Sequence, residues 1–389
     1  MTSPATIAVA YASVGSGHRI AAEAIAEELR GRPDVARVEL LDVLAYSSRR
    51  LTGDRLATTF TGSWARVYDF AWASPAIGAA ARTVSGILYE LIMPDFRRAL
   101  SELGPDVIVC THATPAVIAA REVRAGRASW KLVGSATDFG LHGYWPIAAV
   151  DLMCVADEAS ARTALAREAR SDSVRVTGIA VRPQFAKAYD LDRTSARACC
   201  DLPQDGRVVV ALAGSQMAGP YEHFKRALAA ALPRLAALPD THLVVVAGSD
   251  QRFADEMRRS AARLADENSA HTHSPAVTVT GFIDPIAPLL AAADLVVAKA
   301  GGSTCAECMA LGAPLALIGP SVGQEAANVS ALTAAGAARY AADPRELAHL
   351  IEQCTEDSDS LAAMAAAARS LGHPGAARDV ADAVVALGT

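Results

Sequence analysis

Three stretches of this sequence carry residue types and spacings suited to a ligand rich in phosphate and hydroxyl groups. In "GSGHRIAAEAI" two glycines, Gly15 and Gly17, precede His18, and a helical pattern starts at once. A helix N-terminus presents unpaired N–H groups and the positive end of a dipole, which attract anions. A histidine held there resists protonation, and a neutral ring suits a general base. A turn carrying a surface histidine fits the same residues equally well. A dinucleotide fingerprint would need a glycine where Ile20 stands, and no GxxxxGK[ST] occurs. An NAD oxidoreductase and a Walker-type NTPase are therefore not indicated.

The second stretch is "AKAGGSTCAECMALGAP", after the apolar run "DLVVA". Gly301 and Gly302 let backbone approach a phosphate, and Ser303 and Thr304 add hydroxyls and a helix cap. Glu307, about one turn on, is placed to accept hydrogen bonds from two vicinal ribose hydroxyls. Thr304 and Glu307 also fit the spacing of a capping box, which explains them as well. The third stretch is "GPSVGQEAANVSAL", where Gln324 and Glu325 offer donors and acceptors in a small arc, suited to sugar hydroxyls. Further glycine loops end apolar runs at Gly214–Ser215, at Gly248 and at Gly281–Phe282. Each alone reads as an ordinary strand–helix turn, and Gly281 with Phe282 could also meet a base. In "TDFGLHGYW" the spacing of Asp138 and His142 would put both on one face if the segment were helical. His112 in "CTHATP" reads as a structural loop histidine.

The elements that must position these residues follow from the apolar pattern. Short buried-strand runs ending in small residues alternate with helical stretches, the pattern of doubly wound parallel sheets. Gly31 stops the first helix, and "VRPQFAKAYDLDRTSAR" breaks the alternation and reads as a linker. With 389 residues, two domains are expected. They are residues 1–182 and 183–350. Residues 351–389 are C-terminal helices that could pack back on the first domain. The fold class is α/β, two Rossmann-like domains facing across a cleft, where ligands bind at the carboxyl ends of the strands.

Composition narrows the function further. Net charge is −6, which argues against a nucleic-acid partner. Seven cysteines with a single CxxC, Cys305 and Cys308, give no zinc set, and an odd count without a signal peptide suggests reduced thiols in a cytoplasm. No apolar run is long enough to span a bilayer, so any membrane contact would be peripheral. Residues 47–100 interleave an excess of arginine with Trp64, Trp72, Ile87, Leu88 and Ile92, a pattern shared by an interfacial patch and by an ordinary core with a solvated face.

"GSGHRIAAEAI", "PDVIVCTHATPA", "TDFGLHGYW", "VTGIAVRPQF" and "KAGGSTCAECMALGAPLALIGPSVGQEAANV" together resemble the inverting GT-B glycosyltransferases of family 28. They are most similar to the diacylglycerol branch, which holds monogalactosyldiacylglycerol synthases and processive diacylglycerol glucosyltransferases. The resemblance runs from about Ile7 to about Ala338. It implies a hexosyltransferase that moves sugar from a UDP-sugar to a hydroxyl of a lipid such as diacylglycerol, with inversion. A soluble hydrophobic acceptor, or a non-catalytic nucleotide-sugar-binding protein, is the alternative. It implies that His18 is the base with Asp138 orienting or substituting for it, and that the helix opened at Gly17 assists the diphosphate. It places the acceptor with residues 1–182 and the UDP-sugar with residues 183–350, where Gly301 through Thr304 would hold the diphosphate and Gly214 and Ser215 would also line the donor site. Gly281 and Phe282 would lie by the uracil, Glu307 would grip the ribose, and Gln324 and Glu325 the sugar. No metal or other cofactor is implied. The expected location is cytoplasmic, with room for association at the inner membrane face.

Overall fold

The computed structural model describes residues 4–46, 93–214, 221–267 and 276–388. Ser215 and the residues Trp64, Trp72, Ile87, Leu88 and Ile92 lie outside this range. The chain divides into two compact units. One comprises Met1–Pro183, Val322–Ala327 and Gly375–Thr389; the other comprises Gln184–Ser321 and Asn328–Pro374.

The first unit is built on six parallel strands: β1 (Ala5–Tyr11), β2 (Val35–Asp42), β3 (Val107–Cys110), β4 (Lys131–Ser135), β5 (Leu152–Val155) and β6 (Val174–Val176). Their order is β2-β1-β3-β4-β5-β6. Apart from the exposed Lys131 at the start of β4, β3 to β5 are apolar or small on both faces because helices cover both sides of the sheet. Ile7, Val9, Val109 and Val133 face α1 (Gly17–Arg30) and the C-terminal helix Ala376–Gly388. Ala8, Ile108 and Leu132 face the other way, onto α2 (Pro94–Leu103), α3 (Ala113–Arg124) and α4 (Glu158–Ala166). Gly31 caps the end of α1, as the sequence indicates. The chain winds outward from β1 in both directions, so the order reverses between β1 and β3. Ligands bind at such a switch point in open α/β sheets.

Two short helices, α5 (Pro183–Ala188) and α6 (Arg193–Cys199), occupy the stretch that reads as a linker. The pattern is hard to see in sequence because each helix is under two turns. α6 is held by a buried guanidinium. Arg197 donates to Asp294 Oδ2 at 2.5 Å and to the carbonyls of Gln204 and Ala292 at 2.8 and 3.4 Å. Asp294 also accepts from the Val208 amide at 2.7 Å and pairs with Arg193 at 2.8 Å. Buried charges satisfied this fully fix α6 to the start of the second sheet.

That sheet has six parallel strands as well: β7 (Arg207–Leu212), β8 (Thr241–Val246), β9 (Ala276–Thr280), β10 (Leu295–Ala298), β11 (Leu315–Ile318) and β12 (Ala338–Ala341). The order β12-β11-β10-β7-β8-β9 places its switch point between β7 and β10. α7 (Glu222–Leu235) and α8 (Gln251–Glu267) bury Phe224, Leu228, Phe253 and Met257 on Val209 and Val245. The chain continues through α9 (Ala287–Ala292), α10 (Gly302–Leu311), α11 (Gln324–Ala334), α12 (Leu347–Glu356) and α13 (Ser358–Leu371).

Gly214, just past β7, packs against the backbone of the loop after β8. A Cβ there would stand 2.2 Å from the Ala247 carbonyl oxygen. Gly214→Ala is therefore expected to lower unfolding free energy by about 1–3 kcal/mol, the usual cost of overpacking. Urea unfolding checks this, and unchanged stability would mean that the two loops part freely.

Candidate active site

In the first unit the site starts with a turn. After β1 the chain passes through Gly15 at φ +76°, a conformation that disfavours any side chain. α1 then starts at Gly17, and Ser16 before it makes no side-chain cap. The second helical residue is His18. At the end of the neighbouring strand β3, the fully buried Thr111 grips it twice. Thr111 Oγ1 donates to the His18 carbonyl at 2.8 Å, and the Thr111 carbonyl lies 2.9 Å from His18 Nδ1. A carbonyl oxygen can only accept, so Nδ1 carries the ring proton and the neutral ring keeps a bare Nε2. Thr137 Oγ1, past the end of β4, is also 2.9 Å from Nδ1.

Two more histidines complete the cluster, and their hydrogen bonds separate them from His18. His112 meets His18 edge to face, with ring centroids 4.6 Å apart. Its Nδ1 accepts from the Thr114 amide at 3.1 Å and caps α3. His142 Nδ1 accepts from the Tyr144 amide at 3.2 Å. An accepting Nδ1 puts the proton of the neutral ring on Nε2, making these two rings donors there. Of the three, His18 alone offers Nε2 as a proton acceptor.

Electrostatics agrees with this division. Burial pushes the His18 pKa below the ordinary imidazole value, while the charge of Asp138 and the Thr111 carbonyl pull it back up. The ring is thus neutral near pH 7, and a proton arriving at Nε2 is stabilised by Asp138. His112 lies well below its ordinary value, through burial first and then through repulsion from His18 and His142. His112 is the structural histidine that the sequence suggests, and it also forms one wall around His18.

Asp138 and His142 do not share a helical face. Residues 136–146 are bends and turns without helix. Gly140, Gly143 and Pro146 oppose a helix there, which outweighs the spacing of four. The loop still brings Asp138 into electrostatic contact with His18.

In the second unit, the loops after β7, β8 and β9 stack as backbone on backbone. Gly214 meets Ala247, and a Cβ on Gly281 would lie 3.5 Å from the Gly248 carbonyl. Phe282 beside them is 46% exposed, an unusual state for a large apolar ring and one that leaves its surface available for stacking. On β10's side of the switch point, Gly301 caps α10 at φ −70° with no side-chain cap. Thr304 is the third residue of α10, so no capping box forms with Glu307, which is buried one turn further along. A Cβ on Gly301 would meet nothing within 4 Å, so neither backbone strain nor packing demands glycine there. Ser303 Oγ is buried without a hydrogen-bond partner among the described residues. An open glycine, uncapped N–H groups and an unsatisfied hydroxyl form an anion-binding helix start.

Gln324 and Glu325, in the segment Val322–Ala327 that is grouped with the first unit, open α11 after Gly323 at φ +57°. α11 is tied to the glycine loop by Asn328, which is fully buried and donates to the Ala300 carbonyl at 2.9 Å. Asn328, Thr111 and Thr137 are the residues that motif reading passes over. They carry no charge, and only their burial beside a functional loop marks them. Among the described residues no group of three His, Cys, Asp or Glu side chains is arranged to hold a metal ion, and no helix is long and apolar enough to cross a membrane.

Comparison with known proteins adds two domain matches. Residues 18–181 match the monogalactosyldiacylglycerol (MGDG) synthase family, and residues 208–381 match the glycosyltransferase family 28 C-terminal domain. Among curated proteins, a probable monogalactosyldiacylglycerol synthase 2 of Oryza sativa subsp. japonica is 25% identical over 389 residues, covering 96% of this chain and 79% of its own length. Among solved structures, Acinetobacter baumannii MurG superposes with a TM-score of 0.58 at 16% identity, covering 98% and 99% of the two chains. A UDP-GlcNAc 2-epimerase from Neisseria meningitidis reaches the same TM-score at 14% identity, covering 99% and 100%. The fold is thus GT-B, and fold likeness alone does not separate transferases from epimerases; the domain matches do.

The neutral His112 makes stability pH-dependent. Its pKa is depressed in the folded state, so the unfolded chain takes the proton first as pH falls below the ordinary value of 6.5. The stabilisation is complete above that value and is lost as pH drops toward the folded pKa, at up to about 1.4 kcal/mol per pH unit. His112→Asn keeps a capping acceptor but cannot titrate. Urea unfolding between pH 7 and 5 should show a shallower acid loss in the variant. Parallel curves would mean that His112 is not held neutral.

Proposed function

The chain belongs to glycosyltransferase family 28, and on that premise we propose that it moves a hexose from a UDP-sugar to a hydroxyl of a lipid of the diacylglycerol type, with inversion. The observation that carries the mechanism is the clamped, neutral His18 with its bare Nε2. The acceptor hydroxyl gives its proton to Nε2 as its oxygen attacks the anomeric carbon. The bond from that carbon to the diphosphate breaks on the opposite face, and UDP leaves with the electron pair. Asp138 stabilises the imidazolium that results. A single displacement of this kind inverts the anomeric centre.

The donor is assigned to the second unit. The uncapped start of α10, with Gly301, Gly302, Ser303 and Thr304, receives the diphosphate and the charge that develops on it. That stabilisation needs no metal or other cofactor. Gly214 supports the same loop layer, Phe282 with Gly281 lies along the uracil, and Glu307 accepts from the ribose hydroxyls. Gln324 and Glu325 read the sugar. The acceptor class rests on the match of residues 18–181 to the MGDG synthase family. Such an acceptor resides in a bilayer, so the reading includes peripheral contact with a membrane from the cytoplasmic side.

A UDP-release screen tests the reading. It crosses UDP-glucose, UDP-galactose and UDP-N-acetylglucosamine with diacylglycerol micelles, with a panel of soluble hydroxyl acceptors and with no acceptor. The expected result is lipid-dependent release, reduced at least about 100-fold in His18→Ala with UDP affinity nearly unchanged. Release with soluble acceptors alone would replace the lipid by a soluble hydrophobic metabolite. Binding of UDP without release in any arm would make the chain a nucleotide-sugar-binding protein.

A further inference from the structure

His18 Nδ1–H points at two oxygens, and only one of them is accounted for by the clamp. The Thr111 carbonyl fixes the tautomer. The second oxygen, Thr137 Oγ1, lies at the same distance, 2.9 Å, from the same nitrogen. Thr137 is 5% exposed, so water is largely excluded from this side of the ring. It comes directly before Asp138 in the loop after β4, so one short segment supplies both the second oxygen and the nearby charge.

We propose that Thr137 is a positioning residue for His18, whose hydroxyl oxygen is a second acceptor for Nδ1–H and thereby strengthens the hold of Nε2 on a proton. The inference rests on the reading of His18 as the base and adds to it a residue that acts only through that ring. The physical argument is one of charge. When Nε2 takes a proton, the positive charge spreads over both ring nitrogens, and each acceptor facing Nδ1–H gains strength. Two acceptors in a dry site favour imidazolium more than one does. Burial weakens the hold of this half-buried ring on a proton, and a second acceptor on Nδ1–H works against that loss.

The other groups facing the ring do not provide this service. Asp138 acts through its charge, and His112 presents a ring edge to His18 and repels its protonated form. His142 accepts from the Tyr144 amide, and its repulsion is felt at His112. On α1 itself, Arg19 and Glu23 pair with one another at 3.3 Å. Among the described residues, Thr137 is the uncharged side chain whose hydroxyl stands at Nδ1, and its removal leaves the Thr111 carbonyl on Nδ1–H and the charge balance in place.

The test is an NMR pH titration of the His18 ring in the full chain, with His18→Gln used to assign its signal. It needs no substrate, so it stands apart from the test of the base itself. Thr137→Val keeps the shape and removes the oxygen; Thr137→Ser keeps the oxygen and removes a methyl. The expected result is a His18 midpoint lower by roughly half a pH unit or more in Thr137→Val, the size of a modest hydrogen bond to a charged group. Thr137→Ser should titrate like the native protein. A midpoint in Thr137→Val equal to the native one overturns the inference. So would equal shifts in both variants, since they would report packing and not the hydroxyl. Transfer that survives in His18→Gln would instead remove the base reading on which the proposal rests.

Discussion

The chemistry in the first unit depends on Thr111. It directly follows β3, it is fully buried, and it bonds to His18 through both its side chain and its carbonyl. One bond holds the first turn of α1 against the sheet. The other decides which nitrogen of the ring is bare. A histidine in a flexible loop would sample both tautomers and would be hydrated. Here a fully buried residue at the carboxyl end of a central strand dictates the proton's place. Rigid support of this kind separates a base held ready from a histidine that happens to be near.

The same principle repeats in the second unit with different chemistry. The order of the strands reverses between β1 and β3 in one sheet and between β7 and β10 in the other. His18 and Thr111 stand at the first reversal. Gly214 and the loop Gly301–Thr304 stand at the second. At a reversal the two flanking loops part in opposite directions and leave backbone amides facing open space. The first unit fills that space with a hydrogen-bonded ring. Among the described residues, the second leaves it open, with a helix that has no side-chain cap, a buried serine hydroxyl without a partner and a glycine that neither packing nor φ requires. One opening suits a proton acceptor and the other an anion.

Much of this was legible in the sequence because buried parallel strands leave little choice of residue. "VIVC", "LVVA" and "LALI" are near-continuous apolar runs, and each is followed by glycine or small residues where a loop must bend. His18, the glycine loops and Gln324–Glu325 stood out by type and spacing. The structure separates readings that spacing left level. Thr304 and Glu307 have the spacing of a capping box, yet Gly301 is the cap of α10 and Thr304 lies inside the helix. Asp138 and His142 have the spacing of a helix face, yet the glycines and proline around them impose a loop. Thr111, Thr137 and Asn328 lie inside the stretches that carry the resemblance, but nothing in their residue types singled them out. A threonine or asparagine in a loop is common, and only the partner across the sheet turns it into a clamp. Arg197 and Asp294 lie 97 residues apart, so their buried pair could not be read from local pattern either.

The central claim is that His18 rests as a neutral ring protonated on Nδ1. The direct measurement is the pair of nitrogen-15 shifts of the His18 ring in the native protein at pH 8, read through their couplings to the carbon-bound ring protons. The account predicts the Nδ1–H tautomer, with Nε2 showing the shift of an unprotonated nitrogen. A ring protonated on Nε2, or one averaging freely between the two tautomers, would contradict it, because Nε2 could then not be the resting acceptor of the hydroxyl proton.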